Sequence, residues 1–211
     1  MNASEPRPLQ IGVTGGIGTG KSLVCRIFNA LGIPVYEADE RAKWLVNHDA
    51  ILRADIIRLL GPNAYMPAGD LLSGQYNRAW VAAQVFNHPE RLQSLNALIH
   101  PRVYADTASW VTTHQHLPYV VKEAAIMKAA GDGNTLDKVI VVQAPLELRL
   151  QRIRKRDPHR TEEEIINIIN RQATEAERLA IADFVIHNDE KSLLIPQVIQ
   201  LHRLFSSSQN A

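Results

Sequence analysis

A glycine-rich segment near the start of the sequence, Gly15–Ser22, has the residue types and the spacing to bind phosphate groups. It fits the pattern G-x-x-x-x-G-K-[S/T], follows a short apolar run and precedes apolar positions at helical spacing, which is the context this motif requires. Glycines allow backbone N–H groups to face phosphate oxygens, and the N-terminus of the following helix adds a partial positive charge. The residues expected to contact the phosphates are Gly15, Gly16, Ile17, Gly18, Thr19, Gly20, Lys21, Ser22 and Leu23.

Two side chains of this segment carry the expected charge and metal chemistry. The Lys21 ammonium is predicted to reach the β- and γ-phosphates, and the Ser22 hydroxyl to join the coordination shell of Mg²⁺. The alternative is a glycine-rich turn that binds nothing, which the strand–loop–helix context disfavours. The segment therefore predicts binding of ATP or GTP with Mg²⁺. A guanine-specific switch protein would carry an Asn-Lys-x-Asp motif, which this sequence lacks.

Two carboxylates, Glu37 and Asp39, follow the second predicted strand. In doubly wound sheets ligands bind beyond the carboxyl ends of the strands, so these acids are expected to face the phosphate-binding cleft. A carboxylate there could accept a proton from an attacking hydroxyl or orient a Mg²⁺-bound water. It could equally serve as the N-cap of a helix that is predicted to begin near Glu40. The spacing alone leaves catalysis and capping open.

The composition is that of an ordinary globular protein. The 211 residues are 45% hydrophobic and 21% charged, which suits one domain or one domain with an insertion. The net charge of +1 argues against a nucleic-acid partner, and the single cysteine, Cys25, excludes an internal disulfide. Apolar runs are far shorter than the ~18 residues of a membrane span, and residues 1–10 are polar. We expect a cytosolic protein with no membrane partner, while its oligomeric state stays open.

The hydrophobic pattern predicts an α/β fold. Short runs rich in β-branched residues are typical of buried strands, and segments of helical periodicity separate them. From Asp39 to about His116 the periodicity is helical almost throughout, so this block is interpreted as an insertion between strands. Alternating strands and helices predict three layers with a mostly parallel central sheet. The predicted strands are Leu9–Thr14, Ile33–Tyr36, Tyr119–Val121, Lys138–Val142 and Phe184–Ile186.

Several segments, in this order, resemble the dephospho-CoA kinase family. Ile11–Ser22 followed by Glu37-Ala38-Asp39 is similar to its phosphate loop and D-A-D motif. Leu95–Pro101 resembles its LN-x-x-x-HP segment, and Ala182–Asn188 resembles its AD-x-VI-x-N segment. The resemblance extends from about Leu9 to Leu204, which is nearly the whole chain.

The resemblance implies a P-loop kinase with a helical acceptor-binding insertion and a lid. Residues 1–42, 117–150 and 182–211 would form the nucleotide-binding core, 43–116 the CoA-binding insertion and 151–181 the lid. The implied reaction is phosphorylation of the ribose 3′-hydroxyl of dephospho-CoA by ATP, the last step of coenzyme A synthesis. The implied partner is therefore a small molecule.

The resemblance also implies roles for particular residues. It makes Asp39 the catalytic aspartate, which favours catalysis over capping, and it places Arg152 and Arg156 in the lid over the ATP phosphates. On a helix these two arginines are four residues apart and share one face, but they could also form a solvated basic face. The residues implied on the substrate side are Asn77, Arg78, His100 and Pro101.

The sequence departs from the family pattern at two positions. Glu37 stands where the first aspartate of D-A-D is usual, and Ala129 stands where the family has a strand-end glutamate. Two rival functions remain at this stage: another metabolite or nucleoside monophosphate kinase, and a regulatory ATPase without an acceptor. The long helical insertion favours an acceptor-binding kinase.

Overall fold

The computed structural model describes residues 7–67 and 74–207, and its elements alternate as the sequence pattern predicts. In chain order the elements are β1 (Leu9–Thr14), α1 (Lys21–Ala30), β2 (Val35–Glu37), α2 (Ala38–His48), α3 (Ala50–Leu60), a 3₁₀ turn (Pro62–Ala64), α4 (Arg78–Val85), α5 (Pro89–Thr113), β3 (Tyr119–Glu123), β4 (Lys138–Gln143), α6 (Leu146–Arg156), α7 (Glu162–Asn170), α8 (Glu175–Ala180), β5 (Phe184–His187) and α9 (Leu194–Ser207). The predicted bounds of β1 are confirmed at both ends.

The strands form one five-stranded sheet in the order β2-β3-β1-β4-β5. Each pairing is parallel, so the carboxyl ends of all five strands lie at one edge. The neighbouring residues Val120 and Val121 point to opposite faces of the sheet, and both are fully buried. Both faces are therefore covered, as the predicted three-layer α/β class requires.

Two compact units make up the chain, and each has its own hydrophobic core. The sheet unit comprises described residues 7–37 and 111–207, and the helical unit comprises 38–67 and 74–110. In the sheet unit, Val24 and Phe28 of α1 and Phe205 of α9 pack with side chains from one face of the sheet. In the helical unit the core centres on Leu52 and Ile56, which are at most 1% exposed.

The boundaries between the units lie after Glu37 and after Trp110, close to the predicted limits 43 and 116 of the insertion. Residues 1–6 and 208–211 of the predicted nucleotide-binding core, and residues 68–73 of the predicted insertion, lie outside the described residues. No helix in the described ranges combines the length and the hydropathy needed to cross a membrane.

Candidate active site

The glycine-rich segment forms the connection between β1 and α1, at the carboxyl edge of the sheet. Gly18 and Gly20 have φ values of 81° and 94°, in the left-handed region that glycine adopts without strain. Gly20 precedes α1, and neither a side-chain cap nor an acidic residue occupies the first turn of this helix. The start of this helix is therefore not occupied by a side-chain acceptor, and the partial positive charge of the helix terminus suits an anion there.

Close packing explains why these positions are glycines. A Cβ atom on Gly16 would lie 2.6 Å from Nη2 of Arg149, and one on Gly18 would lie 2.8 Å from the Arg149 carbonyl oxygen. A Cβ atom on Gly20 would collide with the side-chain amide of Asn188. The loop is therefore pressed against α6 on one side and against the residue that follows β5 on the other.

Three side chains from other elements fix the peptide groups of the loop. Arg149 Nε donates to the Ile17 carbonyl at 2.9 Å. Ile17 N–H donates to the side-chain oxygen of Gln172 at 2.9 Å. Asn188 Nδ2 donates to the Thr19 carbonyl at 2.8 Å. The loop conformation thus depends on residues that are far away in the chain.

The side chains predicted to contact the phosphates and Mg²⁺, those of Lys21 and Ser22, lie at the start of α1. Lys21 Nζ donates to the carbonyl of Gly15 at 2.9 Å, which keeps the ammonium over the loop. Ser22 and Leu23 are exposed, so the Ser22 hydroxyl is accessible from solvent. Behind them, Cys25 is only 3% exposed. Burial, and then the nearby Glu123 and Glu37, raise the pKa of this thiol to about 12, so it is a packing residue and not a nucleophile.

The two arginines predicted for the lid have different partners. Arg152 donates from Nη1 and Nη2 to the Asn188 carbonyl, both at 3.1 Å, and from Nη2 to Glu190 at 3.1 Å. Arg156 makes a double contact with Asp157, at 2.9 and 2.8 Å, which raises the pKa of the Arg156 guanidinium. Arg152 is therefore connected to the phosphate loop through Asn188, whereas Arg156 is bound to its neighbour in sequence.

Sequence reasoning missed the two arginines that are buried beside the loop. Arg149 and Arg178 are 7% and 8% exposed. Burial lowers the pKa of both guanidinium groups, and repulsion by Arg178 lowers that of Arg149 further. Within the described residues, Nη2 of Arg149 is buried without a hydrogen-bond partner. A small cavity of about 10 Å³ next to both arginines is lined in part by Thr19, Gln143 and Glu175.

A larger cleft of about 210 Å³ lies at the carboxyl ends of β4 and β5, on the same sheet edge as the loop. Its lining residues are Gln143, Ala144, Pro145, Glu175, His187 and Asp189. Ligands of open parallel sheets bind at this edge, so the cleft is a candidate for part of the nucleotide.

The structure brings two carboxylates together at the ends of β2 and β3. Glu37 and Glu123 are paired in register in these neighbouring strands. Glu123 is half-buried and lies one strand from β1, which leads into the phosphate loop. Sequence reasoning assigned no role to Glu123. The pairing of the two strands is what places it beside Glu37.

The remaining predicted residues belong to the helical unit. Asp39 is exposed and is the second residue of α2, which begins at Ala38 and not near Glu40, so Asp39 lies inside the first turn and not at the cap position. The Asn77 side chain caps α4 by accepting from the Trp80 N–H at 3.1 Å. The others are Arg78, the exposed first residue of α4, and His100 and Pro101, both exposed within α5.

The first strand of this parallel sheet leads through a glycine-rich loop into a helix that begins with Lys21 and Ser22. This arrangement defines a P-loop nucleotide-binding protein. The family model for Dephospho-CoA kinase matches residues 9–193, and the chain belongs to this family.

The similarity to relatives and to solved structures extends over most of the chain. The dephospho-CoA kinase of Bacteroides fragilis strain YCH46 is 34% identical over 193 residues, covering 92% of this chain and 91% of that protein. The one from Chlorobium chlorochromatii is 40% identical over 186 residues, covering 86% of each chain. The crystal structure of TT1252 from Thermus thermophilus superposes with a TM-score of 0.80 at 28% identity, covering 94% of this chain and 97% of that one. Dephospho-CoA kinase from Campylobacter jejuni gives a TM-score of 0.59 at 25% identity, covering 94% and 98%.

Proposed function

We propose that this protein transfers the γ-phosphoryl group of ATP to the ribose 3′-hydroxyl of dephospho-CoA, giving coenzyme A and ADP. The observation that carries the proposal is the P-loop, in a chain that matches the Dephospho-CoA kinase family over residues 9–193. The open first turn of α1 and the Lys21 ammonium supply the positive charge that a polyphosphate requires.

In this reaction Lys21, Arg152 and Arg156 of the sheet unit bind phosphate and stabilise charge, and Asp39 of the helical unit provides the base. Lys21 and the N–H groups of the loop bind the β- and γ-phosphates, and Arg152 stabilises the charge that develops on the transferred group. Asp39 accepts the proton of the attacking 3′-hydroxyl on its carboxylate, which makes that oxygen a better nucleophile. Arg156 contributes to phosphate binding after exchanging its contact with Asp157 for the nucleotide.

The residues at the start of α1 fit a magnesium ion that is carried in with the nucleotide. Mg²⁺ keeps several waters and uses few protein ligands, and the exposed Ser22 hydroxyl provides one. In residues 7–67 and 74–207, no group of three or more His, Cys, Asp or Glu side chains is arranged to hold a metal ion. Glu37 and Glu123 would orient the metal's water ligands. When bound, the ion neutralises phosphate charge.

The acceptor is assigned to the helical segment 43–116, with Asn77, Arg78, His100 and Pro101 on the substrate side. Residues 1–42, 117–150 and 182–211 are assigned to nucleotide binding, and 151–181 to the lid. The support for this division is the separate core of the helical unit. The absence of nucleic-acid partners and the cytosolic location stay predictions.

The test is to incubate the pure protein with ATP, Mg²⁺ and a panel of acceptors. Phosphorylated dephospho-CoA, detected by mass spectrometry, is the expected product. Preference for a nucleoside monophosphate or another metabolite would favour the rival kinase function. ATP hydrolysis with no phosphorylated acceptor would contradict the kinase assignment and favour a regulatory ATPase.

A further inference from the structure

Between Ile17 and Gly20 of the phosphate loop, bonded and open N–H groups alternate. Ile17 N–H is bonded to Gln172, and Thr19 N–H is bonded to the Gly16 carbonyl at 3.2 Å. Within residues 7–67 and 74–207, the N–H groups of Gly18 and Gly20 have no acceptor. Every second N–H of this stretch is therefore available to a ligand.

The outside contacts account for this alternation. In a trans peptide the carbonyl of one residue and the N–H of the next point in opposite directions. Arg149 draws the Ile17 carbonyl toward α6, so the Gly18 N–H points away from α6. Asn188 holds the Thr19 carbonyl toward its own side-chain amide, so the Gly20 N–H points away from the Asn188 amide. The same two residues pack directly on Gly18 and Gly20.

A packing role alone does not explain Arg149. Its Nη2 is buried without a hydrogen-bond partner in the described residues, and a second guanidinium, that of Arg178, lies beside it. A buried charge without full pairing is costly, and an apolar side chain of similar volume commonly fills such a place at no loss of stability. What an apolar side chain could not supply is the donor to Ile17 and positive charge beside the loop.

We propose that Arg149 and Asn188 are positioning residues that aim the Gly18 and Gly20 N–H groups at the nucleotide polyphosphate before it binds, with Gln172 keeping the Ile17 N–H out of the site. The pair is also linked to the transfer step. Arg149 and Arg152 lie on the same helix, α6, and Arg152 donates to the main-chain oxygen of Asn188. The proposal rests on the nucleotide-binding half of the proposed function and not on the identity of the acceptor.

The first test removes the Asn188 amide. Asn188→Ala eliminates the donor to Thr19 but leaves the main-chain contact with Arg152, and Asn188→Asp replaces the donor by a carboxylate oxygen. Asn134→Ala is the matched control, because Asn134 Nδ2 also donates to a backbone carbonyl at 2.8 Å, that of Ala129. We expect the Kd for inorganic tripolyphosphate, measured by calorimetry, to rise about 10-fold for Asn188→Ala and further for Asn188→Asp. The Kd for adenosine should stay within twofold, and the control should match the wild type.

The second test separates positioning from structural support at Arg149. Arg149→Met should weaken tripolyphosphate binding about 10-fold without lowering the melting temperature of the ligand-free protein. Arg149→Lys, which keeps a donor and the charge, should recover part of the affinity. Arg154→Met is the control on the same helix, since the Arg154 side chain is 47% exposed and pairs with Glu162.

The outcomes decide the proposal in either direction. A lower melting temperature with unchanged tripolyphosphate affinity in both the Asn188 and Arg149 variants would overturn it and make these residues structural supports. Weaker adenosine binding with unchanged tripolyphosphate binding would overturn it as well. If Asn188→Ala does not fold, the Arg149→Met and Arg149→Lys comparison decides alone. None of these assays contains an acceptor, so a failure of dephospho-CoA phosphorylation is seen separately.

Discussion

The sheet unit and the helical unit fix their candidate residues in different ways. In the sheet unit, the contacts to the phosphate loop come from Arg149, Gln172 and Asn188, which are 132, 155 and 169 residues away from their partners in the loop. In the helical unit, Asn77 bonds to the N–H of Trp80, three residues away, and Asp49 bonds to the N–H of Ile51 and Leu52. The phosphate loop is held by tertiary contacts, whereas these side chains of the helical unit are held by local ones.

This difference indicates how each region responds to substitution. A loop fixed by distant residues exists only when the whole sheet unit is folded, and a change at one contact alters several peptide groups at once. Helix caps act within one turn, at about 1 kcal/mol each, so the candidate acceptor residues can be altered one at a time. Variants of the nucleotide-binding residues should therefore show large losses of rate, and variants of the acceptor-binding residues Asn77, Arg78, His100 and Pro101 small, separable ones.

The largest effect is expected for Lys21→Ala. Lysine supplies the point charge over the β- and γ-phosphates, and removal of such preorganised charge typically lowers rates ~10²–10³-fold. The melting temperature should change little, because the Lys21 ammonium donates to the Gly15 carbonyl within the loop itself, a contact that does not tie the loop to another element. Steady-state turnover and thermal melting on the same sample check this. Near-normal turnover in a folded variant would remove Lys21 from the mechanism.

Asp39→Asn should lower phosphorylation of the acceptor ~10²-fold while ATP affinity is retained. Asparagine has nearly the same size but lacks the charge and the basicity of the aspartate. As Asp39 lies in the first turn of α2, loss of its favourable interaction with the helix terminus should cost less than about 1 kcal/mol. ATP binding, melting temperature and turnover need to be measured together. Full activity would show that Asp39 is not the general base. Activity lost only in step with unfolding would make Asp39 a structural residue.

Arg152→Ala should lower kcat about 10- to 50-fold and weaken ATP binding much less. An arginine that acts on the transferring group contributes most when charge develops there. Its present contacts, with the Asn188 carbonyl and with Glu190, place it next to the loop without engaging the loop itself. Arg154→Ala on the same helix serves as the control. Equal losses in affinity and kcat would show that Arg152 only binds the ground state.

Much of the fold, and the phosphate loop at the centre of the site, could be predicted from the sequence because both depend on residues that are close together in the chain. β1 and the phosphate loop are continuous in the chain, so the spacing of their residues carries the structure. Thr161 and Glu164 are three residues apart before an apolar stretch, which is the spacing of a capping box, and the structure shows this capping box complete.

The buried arginines could not be predicted in this way. Arg149 belongs to a run of basic residues on α6, and nothing in composition separates it from Arg154. Only the packing of α6 against the loop buries the first and leaves the second exposed. Likewise, Glu123 reaches Glu37 only through the register of β2 and β3. Contacts between distant segments have no signal in a single sequence.

The smallest and most selective effect is expected at Asn77, where a capping role and a substrate role overlap. Its side-chain oxygen accepts from the Trp80 N–H, which leaves the amide donors for the acceptor. Asn77→Asp keeps the cap, since aspartate caps as well as asparagine, but it removes those donors. We expect an unchanged melting temperature and a KM for dephospho-CoA about 3- to 10-fold higher, the size of one lost hydrogen bond. Asn77→Ala should show the same KM and also lose about 1 kcal/mol of stability.

Asp49→Ala is the matched control for Asn77, because it removes another N-cap of the helical unit, that of α3. It should lose a similar amount of stability and keep the wild-type KM. If Asn77→Asp also keeps the wild-type KM, Asn77 is a cap and nothing more, and acceptor binding must rest on other residues of the helical unit. If the KM rises only in the two variants that lose a cap, the effect follows stability and not recognition. Substrate contact requires that the KM rises in both Asn77→Asp and Asn77→Ala and not in Asp49→Ala, although only Asn77→Ala of the two Asn77 variants loses stability.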